Sequence, residues 1–245
     1  MDWSTRPLLP EAEAMTVTTT PLSSTPRTTF TRNADRGATD RAMLHEIVQE
    51  GMFCHLGVVM DGAPVVLPTT YAVDLSPDAP DAPDGTLYFH GSVAAGNLVT
   101  AGGDTTVCIT VTHVDGLVLA KSGFHHSANY RSAVIFGTPR KLERAEKRHA
   151  LDLLVDHLVP GRAATLREPT RKDLAATTVL ALPLTEVSVK VRSGGVKDEE
   201  SDLELPIWAG VLPLHTVAGD PQTADDCTEP VPTHVKERAT ILNQH

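Results

Sequence analysis

The chain has 245 residues, with 31 acidic against 21 basic side chains and a net charge of −10 at pH 7. Such a surface repels nucleic acid and anionic membrane, and no apolar run approaches the roughly 20 residues a membrane span needs. The start, Met1-Asp2-Trp3-Ser4, has no basic segment followed by an apolar core, so no secretory signal is expected and the chain reads as cytoplasmic.

Residues 1–35 are rich in Thr, Ser and Pro without periodicity, which predicts a disordered N-terminal tail, with Met15 available as an alternative start. Residues 216–245 return to that character and are expected to be a flexible C-terminal tail. The folded domain is therefore placed at 36–215. It opens with a helix over 39–50, where Met43, Leu44, Ile47 and Val48 share a face, Thr39 caps the start and Gly51 suits the exit. Strands over 52–60 and 63–73 flank Asp61-Gly62, a pair that favours a tight hairpin turn. A Pro/Asp/Ala loop then leads to a short strand over 86–90 and a short helix over 91–102. Val107, Ile109 and Val111 alternate in a half-buried strand over 105–114, which Asp115-Gly116 is expected to turn into 117–120. After a polar loop, the apolar run 133–136 reads as a buried strand. The helix over 143–158 places Ala150, Leu151, Leu154, Val155 and Leu158 on one side and stops at Pro160-Gly161. A last strand covers 179–191, bent at Pro183.

About six or seven strands joined by Asp-Gly hairpins, with few helices between them, predict an antiparallel β-barrel with helices packed outside. No Gly-x-Gly-x-x-Gly opens a helix and no Walker-type loop is present, so a parallel nucleotide-binding sheet fits poorly.

Four stretches carry candidate chemistry. Pro68, Thr69, Thr70 and Tyr71 put a proline inside a strand, which implies an edge or break where backbone groups become free for a ligand. His90, Gly91, Ser92, Gly96 and Asn97 follow a strand at the start of a helix, where unpaired N–H groups attract a phosphate or an anionic ring edge. The ordinary alternative there is a plain strand-to-helix turn. Lys121, Ser122, Asn129, Tyr130, Arg131 and Ser132 bring a polar loop onto a rigid strand, and an arginine fork beside a hydroxyl suits a phosphate. The ordinary alternative for Arg131 is a strand-end salt bridge. Lys190 and Arg192 lie two apart on one strand face, and in so acidic a chain they are candidates for holding an anion. No metal ligand set is expected. The three cysteines, Cys54, Cys108 and Cys227, are widely spaced, and a site from His113, His125, His126 and Cys108 has weak coordination logic.

The segments Gly-Met-Phe-Cys-His-Leu-Gly, Val-Val-Leu-Pro-Thr-Thr-Tyr, Leu-Tyr-Phe-His-Gly-Ser and Asn-Tyr-Arg-Ser-Ala-Val-Ile-Phe-Gly together resemble the pyridoxamine 5′-phosphate oxidase-like split barrels. Within these they are most similar to the branch with the nitroimidazole reductases (Nim proteins) and related flavin-nucleotide-binding proteins. The resemblance covers about residues 33–215. It implies a mainly β fold, a six-stranded antiparallel split β-barrel, forming a homodimer with FMN in a cleft at each end of the interface. On it, Pro68 to Tyr71 line the flavin, His90 lies beside the ring, and Gly96 and Asn97 stand where residues help hold the phosphate. Asn97 replaces a commonly basic residue. Arg131 and Ser132 face the cofactor, and Trp208 corresponds to a C-terminal tryptophan near the ring. The arginine that follows that tryptophan in the true oxidases has no counterpart in Trp208-Ala209-Gly210-Val211, which argues against vitamin B6 oxidation.

The expected activity is an FMN-dependent oxidoreductase or flavin reductase, nitroreductase-like, passing electrons from a nicotinamide donor to a small acceptor. A deazaflavin-dependent reductase of the same fold is the alternative enzyme, FAD ranks behind both cofactors, and a non-catalytic flavin carrier or sensor is the rival of another class. Lys121, Arg131, Lys190 and Arg192 are the candidates to stabilise the negative charge a flavin gains on reduction. His90 is expected to act as a proton donor, its pKa depressed by a helix N-terminus.

Overall fold

The structure, a computed structural model, describes residues 21–22, 25–32 and 34–244. Residues 1–20, most of the expected N-terminal tail, lie outside them. Its elements are β1 (Gly37–Ala38), α1 (Arg41–Glu50), β2 (Phe53–Met60), β3 (Ala63–Asp74), β4 (Thr86–Ser92), α2 (Gly96–Ala101), β5 (Val107–Leu119), β6 (Ser127–Gly137), β7 (Arg140–Lys141), α3 (Arg144–Leu158), α4 (Arg171–Ala176), β8 (Thr177–Pro183), β9 (Glu186–Arg192), β10 (Gly210–Pro213) and α5 (Thr233–Leu242).

The predicted β2–β3 hairpin is present. Asp61 and Gly62 both take positive φ, 50° and 79°, and the ladder closes with Met60 opposite Ala63, as a two-residue turn of the twist-matching hand requires. Asp40, not Thr39, caps α1, its carboxylate accepting from the Ala42 N–H at 2.9 Å. Asp115-Gly116 does not make a hairpin. β5 runs through it as one strand with a register shift between Val114 and Gly116, so the extra residue is a bulge.

The strands form one open antiparallel sheet in the order β1-β9-β6-β5-β2-β3-β4-β8-β7, with β10 on β5, ten strands rather than the six expected. β8 and β9 lie near opposite ends, with β6, β5, β2, β3 and β4 between them, yet only Leu184 and Thr185 connect them. Three Cα steps reach about 11 Å, whereas six strand spacings span about 29 Å. The sheet must therefore curl enough to bring the end of β8 within about 11 Å of the start of β9. The bend expected at Pro183 is this corner. One core cluster accordingly mixes Leu180 and Leu182 of β8 with Val187 and Val189 of β9, closed at one end by Leu44, Ile47 and Val48 of α1. A smaller cluster outside the curl packs Ala150 and Leu154 of α3 on Ala72, Tyr88, Val179 and Ala181.

The outer face of β2, β3 and β5 is left open. It carries Phe53, Val59, Val66 and Val114, each about half exposed or more. Part of the segment read as tail is tied to the other edge: Arg27 pairs with Glu186 at 2.6 Å and Lys190 lies over the Phe30 ring at 5.0 Å. At the far end of the chain, within 216–245, α5 is a formed helix. No helix among the described residues is long and apolar enough to cross a membrane.

Candidate functional site

Two ladders on β3 end at the same place. β3 pairs with β2 from Ala63 to Thr70 and with β4 only from Tyr71 to Asp74. β4 meanwhile continues on β8 through Ser92↔Thr177. Beyond Thr70 and His90 no ladder joins the two strands, so a notch opens between Pro68–Thr70 on one side and His90–Ser92 on the other. Strand edges of this kind leave main-chain donors and acceptors available to a ligand. The first two predicted stretches thus meet across one gap, which periodicity alone did not place.

His90 faces out of the curl, beside Val179. Its Nδ1 is closed to solvent and has no hydrogen-bond partner, and burial lowers the pKa below the ordinary histidine value. The ring is therefore neutral at pH 7. The expected helix N-terminus is not the cause: α2 starts at Gly96, four residues past Ser92, has only six residues and lacks a side-chain cap. A Cβ on Gly91 would lie 2.5 Å from Leu98 Cδ1, so that space serves the packing of α2, not the approach of a ligand. Ser92 Oγ accepts from the Ala94 N–H at 3.2 Å. Gly96 is exposed beside the Met60 methyl and Asn97 is half-buried.

Tyr71 differs from its neighbours. It is wholly buried, its hydroxyl donates to the Val48 carbonyl at 2.8 Å and its ring stands 4.9 Å from His157. It is a core residue of this chain and does not line the notch, as strand alternation after Thr70 dictates.

The remaining residues gather elsewhere. Arg131 is buried and spends its fork on carboxylates: Nη2 reaches Glu50 at 3.0 Å and Asp115 at 2.9 Å, Nε reaches Asp115 at 3.0 Å, and Glu46 lies 3.5 Å from Nη1. Burial alone would lower its pKa, but the bonds and charges of Glu50 and Asp115 hold it above the ordinary arginine value. With three carboxylates around one guanidinium the locality is net negative, hostile to a phosphate. The ordinary salt-bridge alternative describes Arg131. Asn129 donates to the Gly194 carbonyl at 3.1 Å and accepts from Arg192. Lys121 Nζ donates to the Leu203 and Leu205 carbonyls, and its N–H to Asp198, while the Ser122 carbonyl accepts from His126. Tyr130 and Ser132 lie on the outer face of β6, Ser132 opposite Lys190 and Tyr130 opposite Arg192. Trp208 is 69% exposed, ahead of β10. Among the described residues no group of three or more His, Cys, Asp and Glu is disposed to hold a metal; His113 donates to the Ile47 carbonyl and His125 faces Glu199.

Thr70 on β3 and Lys190 on β9 are four strand spacings apart along the outer face, about 19 Å. A single chain does not bring the notch and the Lys190–Arg192 group together. Two outer-face residues next to the notch went unnoticed in the sequence: Phe53, opposite Thr70, and His55, opposite Pro68. Their alternation with buried Cys54 and Leu56 was the available signal.

The family profile described as Pyridoxamine 5′-phosphate oxidase matches residues 40–191, more than half the chain. The chain belongs to the pyridoxamine 5′-phosphate oxidase family. Among solved structures, the flavocytochrome Anf3 from Azotobacter vinelandii is 30% identical with a TM-score of 0.79, covering 89% of this chain and 98% of its own. An FAD and heme binding protein from Mycobacterium smegmatis is 35% identical with a TM-score of 0.76, over 83% of this chain and 97% of its own. A 5-nitroimidazole antibiotic resistance protein from Bacteroides thetaiotaomicron shares the fold at 24% identity and a TM-score of 0.51, over 63% of this chain and 86% of its own. No curated protein sequence matches the chain. Family membership and these relatives identify a flavin-binding type of protein with an antiparallel sheet and flanking helices. FAD stands in the name of a full-length relative, so the ranking of FAD last has no support.

Proposed function

We propose that the chain is a cytoplasmic flavin-nucleotide redox protein that works as a homodimer and passes electrons from a nicotinamide donor to a small acceptor. The observation that carries this is the notch where β3 and β4 part, bounded by Pro68–Thr70 and His90–Ser92. Its chemistry suits a flavin: free strand edges and threonine hydroxyls for the polar rim of the ring, and the apolar Phe53 alongside. A second copy laid on the open outer face covers Phe53, Val59 and Val66, completes the split barrel, and brings a Lys190–Arg192 group to each notch. That supplies the cations which one chain keeps about 19 Å away. FAD is favoured over FMN by the name of the Mycobacterium smegmatis relative.

A bound flavin supplies hydride and single-electron chemistry. The chain's residues bind and tune it. Thr70, on the outer face of β3, would donate to a ring-edge oxygen, Lys190 and Arg192 would offset negative charge, and the neutral His90 would donate a hydrogen bond at the notch to the acceptor. Titrating cofactor-free protein with FAD, FMN and a deazaflavin while following flavin fluorescence tests the reading. Micromolar or tighter saturation at one flavin per chain, with NADH or NADPH oxidation, is expected; no quenching by any of the three overturns it.

A haem is the second element of this reading, favoured by one feature of the face. Both full-length relatives are named for a cytochrome or a haem, and His55 is exposed on the open apolar face with no hydrogen-bond partner among the described residues. Its imidazole would hold the iron of a haem, which would supply one-electron chemistry. Soret absorbance in the purified protein that is lost in His55→Ala is the expected result; an unchanged spectrum in that variant removes His55 from the role.

A further inference from the structure

A cavity of about 230 Å³ lies where α3, the 163–169 loop and α4 meet the start of β8. Its walls are apolar: Leu151 and Val155 of α3, Leu166 of the loop and Leu174 of α4. Leu151 and Val155 are four apart and so present one helix face to it. The volume is below the roughly 300 Å³ at which pockets for whole drug-sized ligands begin. It suits one flat ring system, not a complete nucleotide.

The register of β4 and β8 sets this cavity beside the notch. Thr177, which lines it, is the rung partner of Ser92 on the notch rim. The Val93 N–H continues the pairing by donating to the Ala176 carbonyl at 3.1 Å. Opposite Cα atoms on an antiparallel rung are about 5 Å apart. Val179, two residues beyond Thr177, packs with Ala150 and Leu154 of α3 in the cluster outside the curl, and residues two apart share a side of the sheet. Thr177, Ser92 and His90 therefore face the same way as Val179, and only β4 separates cavity from notch. Ser92 itself is exposed.

The charges at the mouth select the ligand. Arg148 Nε donates to Asp152 at 3.2 Å and its Nη1 to Glu168, while Arg167 Nη1 donates to Asp173 at 2.8 Å. Three carboxylates around two guanidiniums leave the mouth net negative, so a phosphate is as unwelcome here as at Arg131. A neutral aromatic base is not. Guanidinium planes stack on aromatic rings, the aliphatic walls cover the ring edge, and a carboxylate accepts from an exocyclic amine.

We propose that this cavity takes the adenine base of a flavin adenine dinucleotide whose flavin ring lies in the notch, the connecting chain passing over Ser92. The assignment rests on the flavin reading above and adds the part of the ligand that distinguishes a dinucleotide from FMN.

The test fills the cavity from two sides of the full chain. Leu166→Trp does so from an exposed position and Val155→Phe from the helix wall; unliganded Tm shows that each folds. The parent binds FAD about ten-fold or more tightly than FMN, as one stacked base gives. Both variants bind FAD no better than FMN, and their FMN affinity is that of the parent. AMP raises the Tm of the parent but of neither variant, and ribose 5-phosphate raises none of the three. Equal affinity of the parent for FAD and FMN, or a preference that survives both variants, overturns the proposal. So does an unchanged FAD preference accompanied by a raised KM for NADH in the variants, which would give the cavity to the adenine of the nicotinamide donor. A parent that binds neither flavin overturns the flavin reading and the dinucleotide with it, and the AMP arm then decides by itself whether the cavity takes a base.

Discussion

Asp115 accepts from Arg131 Nη2 at 2.9 Å because β5 carries one residue more than β6 at that point. Val114 stands opposite Tyr130 and Gly116 opposite Asn129, leaving Asp115 without a rung and turned toward the neighbouring strand. On the other side of the guanidinium, Glu50 closes the last turn of α1. The bulge, the strand and the helix end are thus locked by one arginine.

Removing that lock is expected to cost stability and not cofactor. Arg131→Ala leaves Glu50 and Asp115 facing each other, and the loss of several charge-assisted bonds at a buried side chain is worth about 2–3 kcal/mol. Urea unfolding measures it. The folded variant should bind flavin with parent affinity; a variant of parent stability that has lost flavin would return Arg131 to the binding site.

The open face of β2, β3 and β5 should be the dimer contact. Phe53→Glu places a charge in the middle of it and is expected to give a monomer by sedimentation at micromolar concentration, with flavin affinity lowered about ten-fold or more, since one charged-group contact per site is lost with the partner. A dimer of parent mass would locate the interface elsewhere.

Much of the sheet was legible in the sequence because local rules govern it. Asp61-Gly62 fixes a hairpin and its register by backbone preference, and the alternation of Val107, Ile109 and Val111 fixes the inner face of β5. What was illegible depends on partners distant in the chain. Asp115-Gly116 has the same composition as Asp61-Gly62, yet it forms a bulge because Arg131 and β10 hold both sides of it. Arg131 looks like a phosphate ligand until Glu50, 81 positions earlier, is set against it. The notch at Thr70 and His90 was half visible: each strand carried its signal, but the termination of the ladder between them is a tertiary fact. α5 fell in a stretch whose composition reads as tail, and its cap, Pro232 without a side-chain bond, gave no start signal.

Acid should weaken the fold through buried histidines. Burial, the largest cause in each, lowers the pKa of His45, His90 and His157. A histidine whose folded pKa is depressed takes up protons more readily when unfolded, so its contribution is complete above the unfolded value near 6.5 and is lost as the pH falls toward the folded one. Tm is expected to drop between pH 7 and pH 5, by less in His157→Gln, which keeps a donor for Gly51 but does not titrate. Identical pH profiles for the two proteins would remove His157 from the effect.

His90→Ala is expected to keep flavin bound while slowing reduction of the acceptor roughly ten-fold to a hundred-fold, as loss of one hydrogen-bond donor to the reacting group would. Stopped-flow kinetics separate the two half-reactions, and only the one in which the acceptor takes that hydrogen bond should slow. Turnover at the parent rate with flavin fully bound would leave His90 a packing role.

Whether two chains together complete the notch that holds a flavin nucleotide is directly measurable. Native mass spectrometry of the purified protein after incubation with FAD measures it in one spectrum. Two chains carrying two FAD molecules are predicted, giving way in Phe53→Glu to a single chain with lowered FAD occupancy. A single chain that binds FAD as tightly as the parent assembly, or a dimer that takes up none, would contradict it.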